Sequence, residues 1–290
     1  MLREYQATGL EYLDLVTKLL QRLRLADQTA GLWEAADLQW WWRTARRSDE
    51  VGQTFWLDGS EPVAAIILTD WGQEWECDLI LGAGASEAML RRMWSRALAR
   101  VDSLALDIVE VAVRDDDAEM SELLTSAGFS PTGGEGVAAW MRAADRPKLP
   151  VLPDGFRLLD RTQTASRPHH MTNTRDGDEV GQRLAQCSLY RPDLDLMVEA
   201  PNGEVAAYGL FWFDPVTAVG LVEPMATAEK YRRLGLARFV LASGLERLDL
   251  LGSRRLKVNY AADNVASPNL YLGAGFRPAS SSRLYTRRRD

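Results

Sequence analysis

The feature that most constrains this chain is an internal repeat. Leu123-Leu-Thr-Ser-Ala-Gly-Phe-Ser-Pro131 matches Leu270-Tyr-Leu-Gly-Ala-Gly-Phe-Arg-Pro278, and Val63-Ala-Ala65 matches Val205-Ala-Ala207, at offsets of 147 and 142 residues. Arg114-Asp-Asp-Asp-Ala118 stands where Tyr260-Ala-Ala-Asp-Asn-Val-Ala266 stands in the second copy. Similar segments recurring in the same order at nearly equal offsets point to two tandem copies of one α+β unit. An Ala-Gly-Phe tripeptide alone would be weak, because glycine commonly caps a helix. A chain of 290 residues has room for two such units, and 46% hydrophobic residues can fill two cores.

Hydrophobic periodicity supplies the elements. Residues 1–30 read as a helix with Leu10, Leu13, Val16, Leu19, Leu20 and Leu23 turned inward. The indoles of Leu38-Gln-Trp-Trp-Trp-Arg43 either anchor a core or line a pocket, and large aromatics build cores more often. Strands follow at 53–57, 63–70 and 76–81, then a helix through Ser103, a strand 108–113, a helix 118–127 and a strand 137–141. Three prolines in Arg146–Gly155 suit a stiff connector, which divides residues 1–145 from 156–290 with 146–155 as linker. The second half repeats the order: strands at 156–160, 194–200, 205–213 and 217–225, a long helix 233–251, a strand 255–260, a helix 266–274 and a last strand near 283–287. A loop-and-helix region up to Leu189 separates the first two of these strands.

Charge and targeting features narrow the function classes. The net charge of −7 argues against a nucleic-acid binder that would use Arg287-Arg-Arg289. Residues 1–150 hold 15 Lys and Arg against 25 Asp and Glu, giving −10, and the remainder holds 19 against 16, giving +3. Cys77 and Cys187 lack partners at metal spacing and read as reduced core residues. Met-Leu-Arg-Glu-Tyr lacks the apolar core of a signal peptide and no apolar run is long enough to span a bilayer, so a cytoplasmic location without membrane attachment is expected.

The chemistry concentrates at Tyr231-Arg-Arg-Leu-Gly-Leu-Ala237, between an apolar strand and a long helix. A helix start offers unpaired N–H groups and a positive dipole end, Gly235 presents no side chain, and Arg232, Arg233 and Arg238 add cations, so the turn suits a phosphate. The alternative reading is an amphipathic helix with a basic first turn.

Arg232-x-x-Gly235-x-Ala237 after a strand, followed by helix, strand, Asp263-Asn264 and Leu270-Tyr271-x-x-x-Gly275-Phe276, resembles the GNAT superfamily of acyl-CoA-dependent N-acetyltransferases. The implied fold is α+β: two tandem GNAT-like units, each a mixed, mainly antiparallel sheet flanked by helices, in a layout resembling that of mycothiol synthases. The resemblance implies that acetyl-CoA is the co-substrate and that Arg232, Arg233, Leu234, Gly235, Leu236 and Ala237 hold its pyrophosphate. Met225, Thr227 and Asn264 would meet the pantetheine arm, Tyr271 would be the general acid and Glu223 the candidate base, with no metal. The acceptor would be a small-molecule amine or a protein lysine, attacking directly in a ternary complex. His169 and His170 fall in a loop that shapes the acceptor pocket in this superfamily, although an exposed polar pair is the commoner reading. Tyr190 and Trp212 are further pocket candidates, each with core packing as the alternative.

The first copy departs from this pattern. Its turn, Gly82-Ala-Gly-Ala-Ser-Glu87, lacks the arginine and carries a carboxylate, and Leu124 stands in place of the tyrosine. Residues 1–145 therefore read as a degenerate GNAT-like unit that does not bind acetyl-CoA. From a different class comes the alternative of a non-catalytic acyl-CoA-binding sensor or interaction module.

Overall fold

The computed structural model of the chain describes residues 2–172 and 177–289; part of the loop-and-helix region expected before Leu189, at 173–176, lies outside them. The chain forms two compact units, one of residues 1–38, 45–136 and 280–290 and one of residues 39–44 and 137–279. The division falls at 136/137, and the carboxy-terminal residues count with the first unit.

The first unit holds strands β1 (Arg3–Ala7), β2 (Gln53–Asp58), β3 (Glu61–Asp70), β4 (Trp75–Leu81) and β5 (Ile108–Arg114). Its helices are α1 (Gly9–Ala26), α2 (Ala35–Trp41, which runs on into the second unit), α3 (Glu87–Ser103) and α4 (Ala118–Ser126). Strands β1 to β4 pair antiparallel in sequence order, and β4 then meets β5 in parallel at Trp75↔Val109 and Glu76↔Glu110. The last strand of the chain, β12 (Arg277–Arg288), lies antiparallel to β5 from Ser282 to Arg288 and is tied there by Arg283–Asp115 at 2.6 Å and Arg287–Asp102 at 2.7 Å. Trp56, Ile66, Met93, Val111, Leu124 and Phe129 are among its buried core.

The second unit repeats that order. After β6 (Ser130–Arg142, whose residues from 137 on belong here) come β7 (Arg157–Asp160), α5 (Val180–Leu184), β8 (Asp195–Glu199), β9 (Val205–Asp214) and β10 (Val219–Thr227). They are followed by α6 (Leu236–Leu250), β11 (Arg255–Ala261) and α7 (Ala266–Ala274). Strands β7 to β10 pair antiparallel, and β10 meets β11 in parallel, so the mixed, mainly antiparallel sheet expected of each copy is present in both. Even the repeated tripeptide does the same work twice. Gly128 and Gly275 end α4 and α7 at φ +83° and +108°, and Phe129 and Phe276, both 2% exposed, follow into the cores.

Three local expectations fail for physical reasons. Arg3–Ala7 is a strand, because its mostly exposed, charged residues suit a sheet edge, and the helix begins only at Gly9. Leu10 is 51% exposed, since the first turn of α1 is not covered, whereas Leu13, Val16, Leu19, Leu20 and Leu23 are buried. Helix α6 starts at Leu236 rather than Arg233, because Arg233 (φ +67°) and Gly235 (φ +82°) are left-handed and break helical geometry. The indole cluster packs as the commoner reading expects: Trp40, Trp41 and Trp42 are all buried, with the Arg43 guanidinium 3.8 Å from the Trp40 ring centre and that of Arg183 3.9 Å from Trp42.

What positions the second unit's cleft is the close seating of α6 on β9. A Cβ at Gly244 would stand 2.2 Å from the Phe211 ring, and one at Gly209 would stand 2.9 Å from Val240. Helix and strand can approach only because both positions lack side chains. Gly244→Ala should therefore destabilise the protein by about 1–3 kcal/mol through overpacking, measured by urea unfolding; unchanged stability would contradict this packing.

Candidate active site

Two irregularities in β10 build the site. Its parallel pairing with β11 runs from Val219↔Arg255 to Leu221↔Lys257, while antiparallel pairing with β9 continues to Thr227↔Ala207. The β9 register shifts between Val222 and Met225, around the cis Glu223–Pro224 bond, and the Trp212 indole N–H donates to the Glu223 carbonyl at 2.8 Å. Past Leu221, β10 thus keeps one neighbouring strand, and the backbone from Val222 to Thr227 has an edge turned away from the β9 ladder. Met225 and Thr227 lie on that stretch, both half-buried.

The chain then turns through Arg232–Gly235 into α6. No side chain caps this helix, and a Cβ at Gly235 would meet no atom within 4 Å. Left-handed residues at 233 and 235 give the kind of backbone that forms anion-binding concavities. Arg232, Arg233, Leu234 and Arg238 are exposed, and among the described residues none of these arginines enters an ion pair. Ala237 is half-buried and the Leu236 side chain is 1% exposed inside the core, so only its backbone can reach a ligand.

Helix α3 begins differently. The Ser86 side chain accepts from the Met89 N–H at 3.3 Å, and Glu87 pairs with Arg91 at 2.8 Å. The first helix start is occupied by its own side chains; the second is open.

Tyr271, in the middle of α7, is 7% exposed and packs against Tyr260 and Phe276 at ring-centre distances of 5.9 and 6.1 Å. Its hydroxyl has no hydrogen-bond partner among the described residues, and burial first, then the Glu223 carboxylate, pushes its pKa up. A phenol so placed stays protonated beyond neutral pH and is free to donate. Glu223 is half-buried and within electrostatic reach of it. Asn264 is exposed in the turn before α7, where its carbonyl accepts from the Ser267 N–H at 3.0 Å.

The histidines do not form an exposed pair. The side chains of His169 and His170 are 2% and 3% exposed and gather on Asp195 of β8, which was not singled out in the sequence. Asp195 accepts from His169 at 2.8 Å and from the Tyr190 hydroxyl at 2.7 Å. Burial opposes its ionisation, but those bonds and the adjacent His170 hold its pKa below the ordinary carboxylate value, and burial pushes His170 down to about 4. The three residues lie close enough to suggest a metal site. However, the Met171 N–H donates to His169 Nδ1 at 3.2 Å, which leaves the ring proton on Nε2 pointing at Asp195, the wrong tautomer for a ligand nitrogen. The cluster is a hydrogen-bonded support: the Tyr190 ring packs edge-on to Trp212, which in turn holds the Glu223 carbonyl. An aspartate opening the strand ahead of Leu196-Met-Val198 was the sequence signal for it.

The fold is α+β, a mixed sheet flanked by helices in each unit, with strands in the second unit that splay after a parallel pairing beside an open helix start. Residues 156–276 match the acetyltransferase (GNAT) family, and the strand order of that segment is repeated in the first unit. A tandem GNAT protein from the clavulanic acid biosynthesis pathway has the same fold, with a TM-score of 0.71 at 15% identity over 99% of this chain and 98% of that one. A GCN5-related N-acetyltransferase from Sphaerobacter thermophilus (0.63, 13%, 99% and 95%) and a GNAT-family acetyltransferase from Colwellia psychrerythraea (0.61, 13%, 99% and 100%) are also similar. No functionally curated protein matches the sequence significantly. Among the described residues no helix is long and apolar enough to cross a membrane.

Gly235 and Gly84 make a matched pair, at φ +82° and +77° with open space where a Cβ would stand. A glutamate at either carries the same backbone cost, so the difference reads the anion site alone. Gly235→Glu should weaken CoA binding by at least about tenfold, while Gly84→Glu leaves it unchanged by calorimetry; equal losses would contradict the assignment.

Proposed function

We propose that the protein is an N-acetyltransferase that moves an acetyl group from acetyl-CoA to a primary amine, of a small molecule or a lysine, by direct attack in a ternary complex. The observation that carries this reading is the unpartnered, buried Tyr271 phenol within electrostatic reach of Glu223 on the splayed part of β10. A sensor that holds acyl-CoA without turnover would need neither group.

Acetyl-CoA fits the residues present. The uncapped α6 start, the open space at Gly235 and the unpaired arginines suit a pyrophosphate, and the edge of β10 at Met225–Thr227 suits a pantetheine amide chain. When bound, acetyl-CoA supplies a thioester carbonyl open to attack by an amine. Arg232, Arg233 and Arg238 then neutralise phosphate charge, while the N–H groups from Leu234 to Ala237 bind it directly. Leu236 takes part through its backbone, with its side chain anchoring the turn in the core. Asn264 contributes a polar contact from the α7 side.

The proton steps fall to two residues. Glu223 orients the incoming ammonium and accepts its proton, directly or through water. Tyr271 donates to the departing thiolate, and a backbone N–H on the freed edge of β10 stabilises the charge that develops on the carbonyl oxygen. His169 and Asp195 position Glu223 from behind through Tyr190 and Trp212.

The test is thiol release from acetyl-CoA with a panel of amines. Tyr271→Phe should lower kcat roughly tenfold or more while CoA affinity stays nearly constant; an unchanged kcat removes Tyr271 from the mechanism. Because its pKa is raised from about 10, the acid form persists as pH increases, and kcat should not fall through this group below about pH 10. A decline near pH 8–9 that disappears in Tyr271→Phe would contradict the assigned environment.

A further inference from the structure

The first unit, which lacks the proposed acyl-transfer residues, contains a cavity of about 250 Å³. It lies where β4 and β5 separate after their short parallel contact and is lined by Leu20 and Leu23 of α1, by Leu32 and Trp33, and by Met120 of α4. Most of this wall is apolar. An apolar cavity of about 150 Å³ is enough to take up benzene, so this one has room for an organic molecule somewhat larger.

Three charged side chains interrupt the apolar lining, Asp78, Arg114 and Asp117. Asp78 of β4 is 4% exposed, and its Oδ1 accepts from the Trp33 indole N–H at 2.7 Å. Its Oδ2 is buried and has no hydrogen-bond partner among the described residues. Leaving a carboxylate oxygen unmet in an apolar wall is costly, and a ligand that satisfied it would recover that cost. Burial raises the Asp78 pKa to about 7, the Trp33 bond opposes the rise and Asp37 adds to it.

The surrounding charges select the sign of the ligand. The nearby groups that act on this carboxyl or respond to it, Asp37 and Glu76, are acids. Arg114 lines the cavity but is held by Asp116 through bonds of 2.9 and 2.6 Å, and Asp117 is committed to capping α4 at the Met120 N–H, 3.0 Å away. The adjacent α3 start is filled by Ser86 and bears Glu87, so a phosphate is disfavoured. A cation is favoured at the carboxylate and an apolar body in the rest of the space.

We propose that this cavity is a binding site for a small primary amine on an apolar body, with its ammonium group donating to Asp78 Oδ2. The site uses no residue of the acyl-transfer reading and stands or falls separately from it.

Calorimetry on the full chain with hexylamine, hexanol and hexanoate at constant ionic strength tests the proposal. Hexylamine should bind at least about tenfold more tightly than hexanol, and hexanoate should not bind, as expected for a charge-assisted bond at a buried carboxylate. The Trp33 indole ¹⁵N–¹H resonance, assigned through Trp33→Phe, should shift on hexylamine binding because that N–H is bonded to Asp78. In Asp78→Asn, hexylamine should lose at least about tenfold in affinity while hexanol changes by less than about twofold. Failure of hexylamine to bind, binding that leaves the Trp33 resonance unmoved, or equal affinity in Asp78→Asn would overturn the proposal. Should Asp78→Asn fail to fold, a hexylamine-to-hexanol affinity ratio near one in the unmodified protein overturns it.

Discussion

The second unit depends on one departure from regular sheet geometry, the separation of β10 from β11 after Leu221. A strand inside a sheet normally spends its N–H and C=O groups on two neighbours, and buried groups left unmatched are costly. Here the register shift at Glu223–Pro224 and the Trp212 bond to the Glu223 carbonyl hold β10 to β9 while its other edge is released. The rest of the unit braces that opening. Phe211 fits against Gly244 and brings α6 close to the sheet, and the cap at Gly275 returns the chain after α7 to bury Phe276 beside Tyr271.

The two copies share topology and differ in what fills the equivalent features. At the helix start after the β4 or β10 strand, Ser86 and Glu87 satisfy α3 from within, whereas Gly235 leaves α6 uncapped. In the following helix, Leu124 is fully buried where Tyr271 carries a hydroxyl with no hydrogen-bond partner among the described residues. Each pair of positions keeps the packing of the unit and differs in its polar groups. The divergence between β4 and β5 has nonetheless left space rather than collapsed packing, and Asp78 gives that space a chemical preference of its own.

Much of this was legible in the residues. Alternating and helical hydrophobic patterns located most elements of both units, because each buries one face or stripe against a sheet or helix. The turn at Arg232–Ala237 could be read as a strand-to-helix junction because glycine and arginine there have local physical causes, whereas the roles proposed for Tyr271 and Glu223 rest on the resemblance. Features that depend on distant partners could not. Strand β1 is recognisable only through its pairing with β2, Asp195 only through the two histidines and the tyrosine that converge on it, and the cavity at Asp78 only once β4, β5, α1 and α4 are assembled. The carboxy-terminal strand likewise pairs with β5 by register, which no local pattern encodes.

The proposed placement of acyl-CoA chemistry in one copy only is most directly tested by hydrogen–deuterium exchange on the full chain with and without CoA. Amide protection should rise across residues 225–238, where backbone N–H groups of β10 and the α6 turn take up the ligand, and stay unchanged across residues 82–90. Protection of residues 82–90 to the same degree, or none at 225–238, would contradict it.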